Sequence, residues 1–398
     1  MMTAHQRALL PLYLPSLLLG IPAQASFVLL PLYVLDQGGS VAAAAAVIGW
    51  RGVGMMVMDI PAGMLAARWG DKAVMLLASV GLVVAFLGYA TSTTITSFYI
   101  FALINGASSS TFLLGRMAYI SDTLAGSERG RVIAMIAGSL RLAALLGPLA
   151  GGALAPVVGF STALAIGAAM MALGAATIAM TARPGPRSES ALKWHAIPHL
   201  AITHRRIFAT AGVGAIAFML MRSARTVLIP LLGASIGLDA AAVGLVVSMS
   251  ALVDVALFYP AGVIMDRHGR RATAVPSSML FALALVAMSF VDTYTTLVIA
   301  AIAAGIANGL STGIVMTLGT DLAPPAERGE FLGLWRLLTD VGTAAGPMVV
   351  STVVVMAPLS VAALCAAACG GVGSLIIYRW VEETLAQDKS GNLPEDGT

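Results

Sequence analysis

The sequence predicts an all-α membrane protein of twelve transmembrane helices arranged as two pseudo-symmetric six-helix bundles. Three observations carry this. The first is composition: of 398 residues 59% are hydrophobic and only 10% charged, and mean hydropathy is +0.92. An ordinary soluble domain is about 25% charged, so a soluble enzyme, a disordered chain and a disulfide-rich secreted module are all excluded. The second is the placement of the basic residues, and the third is an internal repeat. A spanning helix takes roughly 20 apolar residues, so twelve use about 240 and leave short loops, which this length accommodates.

Apolar runs set against turn and charge signals place the helices at 8–35, 41–66, 72–92, 96–121, 130–156, 160–182, 207–233, 240–265, 271–291, 295–320, 329–356 and 358–380. The first run is too long for a signal peptide and reads as a retained helix. Residues 1–182 form the first bundle and 207–385 the second. Between them, 183–206 is polar, with Pro184, Gly185, Pro186 and five basic residues, and reads as a linker with a short surface helix near 192–202. Residues 386–398 read as a flexible tail.

Of 22 Lys and Arg, sixteen lie at alternate helix ends, six lie inside spans, and none lies in the opposite loops, which hold only Asp36, Asp239 and Asp292. By the positive-inside rule both termini and the linker are cytoplasmic, which requires an even number of spans. The net charge of +3 and pI near 9.0 follow from the same bias, and no nucleic-acid partner is needed to explain them.

The halves match at a constant offset of 199 residues. Pro61-Ala62-Gly63 pairs with Pro260-Ala261-Gly262, Arg68 and Gly70 with Arg267 and Gly269, and Gly147-Pro148 with Gly346-Pro347. A parallel repeat of this kind is the architecture of transporters that rock one half against the other around a central site; a duplicated structural bundle without transport is the alternative. The loop Gly262-Val-Ile-Met-Asp266-Arg267-His-Gly269-Arg270-Arg271 resembles the signature of the major facilitator superfamily. The first-half copy, Gly63 to Lys72, departs from it with Ala67 in place of the acid and Asp71 in place of an Arg. The resemblance implies that Gly63, Arg68, Gly70, Gly262, Asp266, Arg267, Gly269 and Arg271 serve gating. Physically the glycines allow tight turns, the basic residues hold the loop on one face, and Asp266 suits a helix N-terminus.

Gly147-Pro148-Leu149-Ala150-Gly151-Gly152 is similar to the helix-5 core of the family's drug:proton antiporters, with Ala134 and Ala143 where that motif has two further glycines. It implies gating by Gly147 and Pro148, and export. Pro148 removes one helix hydrogen bond, and Gly147 with Gly151 offers a smooth face for another helix, which is also the plain packing reading. Gly305, Gly309 and Gly313 read as a second packing face.

Ionisable groups inside spans cost at least about 2.5–3.5 kcal/mol each if they face lipid, so they face a cavity or a partner. Near mid-span lie Arg51, Arg141, Arg222, Arg225, Asp254 and Asp340, with Arg336 one turn below Asp340 and Arg116 and Asp59 nearer the cytoplasmic end. In the superfamily arrangement helix 5 lies beside helix 8 and helix 2 beside helix 11, so Arg141–Asp254 and Arg51–Asp340 are the expected charge pairs. Asp254, Asp340 and Arg141 are the candidate proton-coupling residues. Arg222, Arg225 and Arg336 lack an obvious acid, and six embedded Arg against three Asp favour an anionic substrate. Arg51, Asn105, Asn308 and Gln24 complete the candidate substrate set, although the two Asn could bond between helices instead. Arg116 reads as snorkelling, Asp59 as a gate residue or a solvated one, and Arg336 with Asp340 as a possible pair within one helix. The runs Met55, Met56, Met58 and Met219, Met221 read mostly as lipid contact.

Cys365 and Cys369 lie four apart without His or acid, and every His lies outside the spans, so no metal site is expected. No phosphate-binding loop with Lys occurs, which argues against ATP hydrolysis, and no cofactor is implied. The expected protein is therefore not an enzyme. It is a monomeric secondary transporter in the cell membrane, whose partners are lipid, protons and a small molecule, exporting an anionic or amphiphilic compound. The rival readings are uptake of an organic anion and a sensor of the same fold.

Overall fold

A computed structural model describes residues 4–123, 126–182, 197–381 and 383. Twelve helices are long and apolar enough to cross a membrane: α1 Leu12–Asp36, α2 Val41–Trp69, α3 Asp71–Thr91, α4 Ile95–Thr123, α5 Arg129–Val158, α6 Phe160–Thr181, α7 Arg205–Ser235, α8 Ala240–His268, α9 Arg270–Met288, α10 Tyr294–Leu322, α11 Pro325–Val354 and α12 Leu359–Trp380. No strand occurs among the described residues. Large apolar side chains such as Leu173, Met180, Leu283 and Leu375 stand exposed on the outside. Water would penalise such a surface, but lipid tails do not.

The repeat is visible in the backbone. Ser40 caps α2 by accepting from the Ala43 N–H, and Asp239, 199 residues on, caps α8 by accepting from the Ala242 N–H. Gly38 and Gly237 hold φ of 78° and 79°, and Gly70 and Gly269 hold 82° and 101°. These left-handed turns are open to glycine and strained for other residues. Packing repeats as well: α1 lies on α5 and α6 as α7 lies on α11 and α12, and α2 lies on α4 as α8 lies on α10. The two bundles meet along α2–α11 and α5–α8. The short turns 70, 159, 269 and 355–358 alternate between two faces. The face carrying Arg68, Lys72, Arg267 and Arg270 is called the basic face below.

Two expectations need correction. Helix α10 is not a continuous packing face: Gly313 adopts φ 87° and splits it into Tyr294–Leu310 and Ile314–Leu322. Only Gly305 and Gly309 pack, against Ser250 and Asp254 of α8. Asp266 does not sit at a helix N-terminus; it lies in the last turn of α8, 72% exposed, 3.8 Å from Arg270. The acid at the N-terminus of α9 is Glu383, which accepts from the backbone N–H of Arg270 at 2.7 Å and of Arg271 at 3.0 Å. Chain distance hid this partner, since the two groups are more than a hundred residues apart. The short helix before α7 covers Ile197–Thr203, Arg205 and Arg206 of the expected linker already belong to α7, and 183–196, with the tail 386–398, lies outside the described residues.

Candidate functional site

A cavity of about 310 Å³ lies between the bundles, lined by α1, α2, α7, α10 and α11. Gln24 and Phe27 come from α1, Ile48, Arg51, Gly52 and Met55 from α2, Met219, Arg222, Ser223, Arg225 and Thr226 from α7, Asn308 from α10 and Thr343 from α11. Helix periodicity explains the set, since positions three and four apart share a face. Arg222 and Arg225 therefore point the same way, as do Arg51 and Met55. Met55 and Met219 line the cavity, against the expectation of lipid contact for that class. A larger apolar groove of about 700 Å³ between α9 and α12 is lined by no charged residue, so the polar chemistry sits at the centre.

Three guanidinium groups face the cavity and no carboxylate lines it. The Arg51 guanidinium lies 4.3 Å from the centre of the Phe27 ring, a cation–π contact that fixes its plane. Arg225 Nη1 donates to Ser250 Oγ at 3.3 Å and to the Ala304 carbonyl at 3.5 Å. The Nε atoms of Arg51 and Arg225 are buried and have no hydrogen-bond partner. Such donors are available to an incoming acceptor.

Two clusters strap the bundles together beside the cavity. In the α5–α8 strap, Arg141 Nη1 lies 3.5 Å from Asp254 Oδ1, and its guanidinium sits 3.7 Å over the Phe258 ring. Asp254 Oδ2 also accepts from Asn308 at 2.6 Å. In the α2–α11 strap, Arg336 Nη2 lies 3.2 Å from Asp59 Oδ1 and donates to Ser110 Oγ of α4 at 3.1 Å. Ser110 Oγ donates to Asp59 Oδ1 at 2.5 Å. Asp340 joins through Arg336 Nε at 3.8 Å.

Sequence reasoning joined Arg141 to Asp254, and the structure brings them together. Arg51 and Asp340 it does not bring together: Arg51 turns to Phe27, while Asp340 turns one helical turn down toward Arg336. Nor is Arg336 without an acid. Asp59 is buried, with a side chain 3% exposed, rather than solvated, and its pairing is not legible in the sequence because the partner lies in the other bundle. Asn105 lies off the cavity wall at the tight α2–α4 contact, with both side-chain polar atoms buried and unpartnered. Arg116 is 3% exposed and donates to Ser16 at 3.2 Å, so it is buried in the first bundle and does not snorkel.

On the face opposite the basic one the bundles are sealed. A Cβ on Gly152 of α5 would lie 3.0 Å from the Gly244 Cα of α8. Ser248 donates to the Leu145 carbonyl at 2.8 Å and Ser351 to the Ala42 carbonyl at 2.9 Å across the α5–α8 and α2–α11 seams. Gly147 and Gly151 press on α1 instead, at Gln24 and Ala25, so the Gly-Pro segment is a junction of α1, α5 and α8. Toward the basic face, Gly63, Gly138, Gly262 and Gly329 have open space where a Cβ would be. The loop residues there are held individually: Arg270 Nε is 2.9 Å from Asp321, and Arg271 donates to the Tyr378 carbonyl. Arg68 and Arg267 are exposed.

The sequence matches the Major Facilitator Superfamily model over residues 12–221 and again over 210–394. The chain belongs to that superfamily. It is a multi-pass membrane transporter and not an enzyme. Over 102 residues it is 33% identical to the arabinose-proton symporter of Bacillus subtilis (strain 168), a stretch of 26% of this chain and 22% of that protein. The chain thus matches about a fifth of that relative's length. Among solved structures, a nucleoside transporter aligns with TM-score 0.78 and 17% identity, over 94% of this chain and 100% of that one. A D-xylose-proton symporter aligns with TM-score 0.71 and 14% identity, over 95% and 97%. At these identities the likeness is one of fold. Similarity to a proton symporter leaves the antiporter branch, to which the helix-5 segment pointed, without support from these relatives.

Proposed function

We propose that this superfamily member is a proton-coupled transporter of a small organic anion, working by alternating access in the cell membrane. The observation that carries the reading is the cavity wall: Arg51, Arg222 and Arg225 face it and no carboxylate does. A cation there would meet like charge, whereas a carboxylate or phosphate would gain charge-assisted bonds. Phe27, Ile48, Met55 and Met219 supply the apolar complement for an amphiphilic molecule. The two straps join the bundles beside the cavity and hold the embedded acids Asp59, Asp254 and Asp340. Their carboxylates are the natural carriers of a coupled proton, and Arg141 and Arg336 are the groups that substrate or helix motion would withdraw.

The charge bias supports a cytoplasmic basic face with both termini on the same side. The loop glycines, with Arg68, Asp266, Arg267 and Arg271, and the Gly147-Pro148 junction are assigned to gating, and the protein to a monomer. Export is the first reading of direction, from the helix-5 segment. The membrane potential supports it, since expelling an anion from a negative interior is favourable by about 2.3 kcal/mol per charge at 100 mV. Proton-coupled uptake is the second reading, favoured by the similarity to a proton symporter.

Thermal shift of the purified protein against matched anionic and cationic compounds tests the substrate class: anions should stabilise it and cations should not. Stabilisation by cations alone would overturn the reading. Counterflow in vesicles with pH gradients of each sign then decides direction.

A further inference from the structure

The two straps occupy equivalent positions but differ in charge. At the 199-residue offset Arg141 of α5 corresponds to Asp340 of α11, and Phe258 of α8 to Asp59 of α2. The α5–α8 strap holds one guanidinium, one carboxylate and an aromatic ring, a neutral set. The α2–α11 strap holds one guanidinium and two carboxylates, leaving one negative charge in excess. Asp59 is 9% exposed and Asp340 7%. One oxygen of each, Oδ2, is buried without a hydrogen-bond partner. The two carboxyl groups converge on one guanidinium, Asp59 Oδ1 at 3.2 Å from Arg336 Nη2 and Asp340 Oδ2 at 3.8 Å from Arg336 Nε. Ionised carboxylates only accept, so the two have no donor between them. One proton supplies that donor and cancels the excess charge.

We infer that Asp59 and Asp340 form a single proton-binding site, sharing one proton across the interface between the bundles. Other charge does not account for the excess. Arg336 of α11 and Ser110 of α4 are the groups facing the pair, and both are already counted. On α2 the next charged side chain is Arg51, at the cavity. From α7, Arg222 and Arg225 face the cavity as well. Arg116 of α4 turns to Ser16 of α1, and α12 carries no charge before Arg379. His204, at the base of α7, pairs with Glu327.

The pair spans the interface, so its proton is held only while α2 and α11 touch. When they part, α11 keeps Arg336 with Asp340, four residues apart, as a neutral pair. Asp59 leaves with α2 and loses its proton to the water that enters. Proton binding is thereby tied to closure at this depth. Met55 and Thr343, one turn away on the same two helices, line the cavity and place the switch directly beneath the substrate.

The consequence for coupling rests on the transporter reading, but the proton site does not, and the test separates them. Infrared difference spectra of the ligand-free, full-length protein in lipid, titrated from pH 5 to 9, read protonated carboxyl C=O bands directly. The expected result is one band that disappears equally in Asp59→Asn and in Asp340→Asn and persists in Asp254→Asn. A wild-type protein with no protonated band across that range overturns the inference without any variant. So does a band that survives either substitution. Loss of anion stabilisation with this band intact would remove the substrate reading and leave the proton site standing.

Discussion

At the residue scale the protein is governed by how it partners buried charge. Removing one charged group from a buried set leaves the other unmet, a cost of about 3–5 kcal/mol. Asp254→Asn leaves Arg141 with the Phe258 ring alone, whereas Asp340→Asn leaves Arg336 paired with Asp59 and removes one of the two carboxylates of the second strap. Each should weaken proton-driven transport, read as lost dependence on an imposed pH gradient in vesicles; full gradient dependence in both would sink the coupling role. In the cavity, a charge-assisted bond is worth about 1.5–3 kcal/mol, or roughly 10–100-fold in affinity. Arg222→Gln and Arg225→Gln should therefore weaken binding of the stabilising anion by at least about tenfold, measured by titration calorimetry. Arg225→Lys should recover part of this, because an ammonium keeps the charge and loses the planar fork. Arg336 was legible as embedded and, with Asp340, as a pair within one helix; its contacts with Asp59 and Ser110 were not, since these reach it from the other bundle.

Among the elements, the sequence placed all twelve spans within a few residues, because twenty apolar residues have few alternatives in a bilayer. It did not show that α10 breaks at Gly313, a residue indistinguishable by spacing from the packing glycines Gly305 and Gly309. Close packing between elements yields two predictions. Gly244→Val puts side-chain bulk against Pro148, Gly152 and their backbone. It should hold the opposite-face seam apart, leaving the helices folded, lowering transport by more than about tenfold and raising cysteine labelling near 148–152; unchanged labelling would refute a sealing role. Glu383→Gln removes charge from the N-terminus of α9, where its carboxylate meets three backbone N–H groups. That should cost about 1 kcal/mol, seen as a lower Tm and faster amide exchange at Arg270 to Ala272.

For the whole molecule, the duplication gives two bundles of one design and an interface where the designs diverge. Equivalent glycines, caps and helix contacts repeat at a fixed offset, whereas equivalent interface positions carry opposite charge or a ring against an acid. Alternating access needs this combination. Each bundle must be rigid enough to move as a body, and the seam must be breakable. The close glycine contacts seal the face opposite the basic one, while the ion-paired straps sit nearer the basic face beside the cavity. Exposed apolar side chains cover the outside, as a surface against lipid tails requires. Of the embedded charges, Arg116 is buried inside the first bundle and the others stand at the interface, which is where a charged substrate gains most from meeting them.

The sequence alone determined the number of helices, their alternation across the layer, the repeat and the presence of buried arginines in excess of acids. Those properties follow from hydrophobicity and charge counted along the chain, and the bilayer enforces them locally. Only the tertiary structure decided which charges meet. The choice between Arg51 and Arg336 as partner of Asp340 turns on a rotation of about one helical turn. The contact of Asp59 with the second bundle depends on how two separate helices are set against each other. Depth in the membrane can be read from position in a span; azimuth across an interface is fixed by packing.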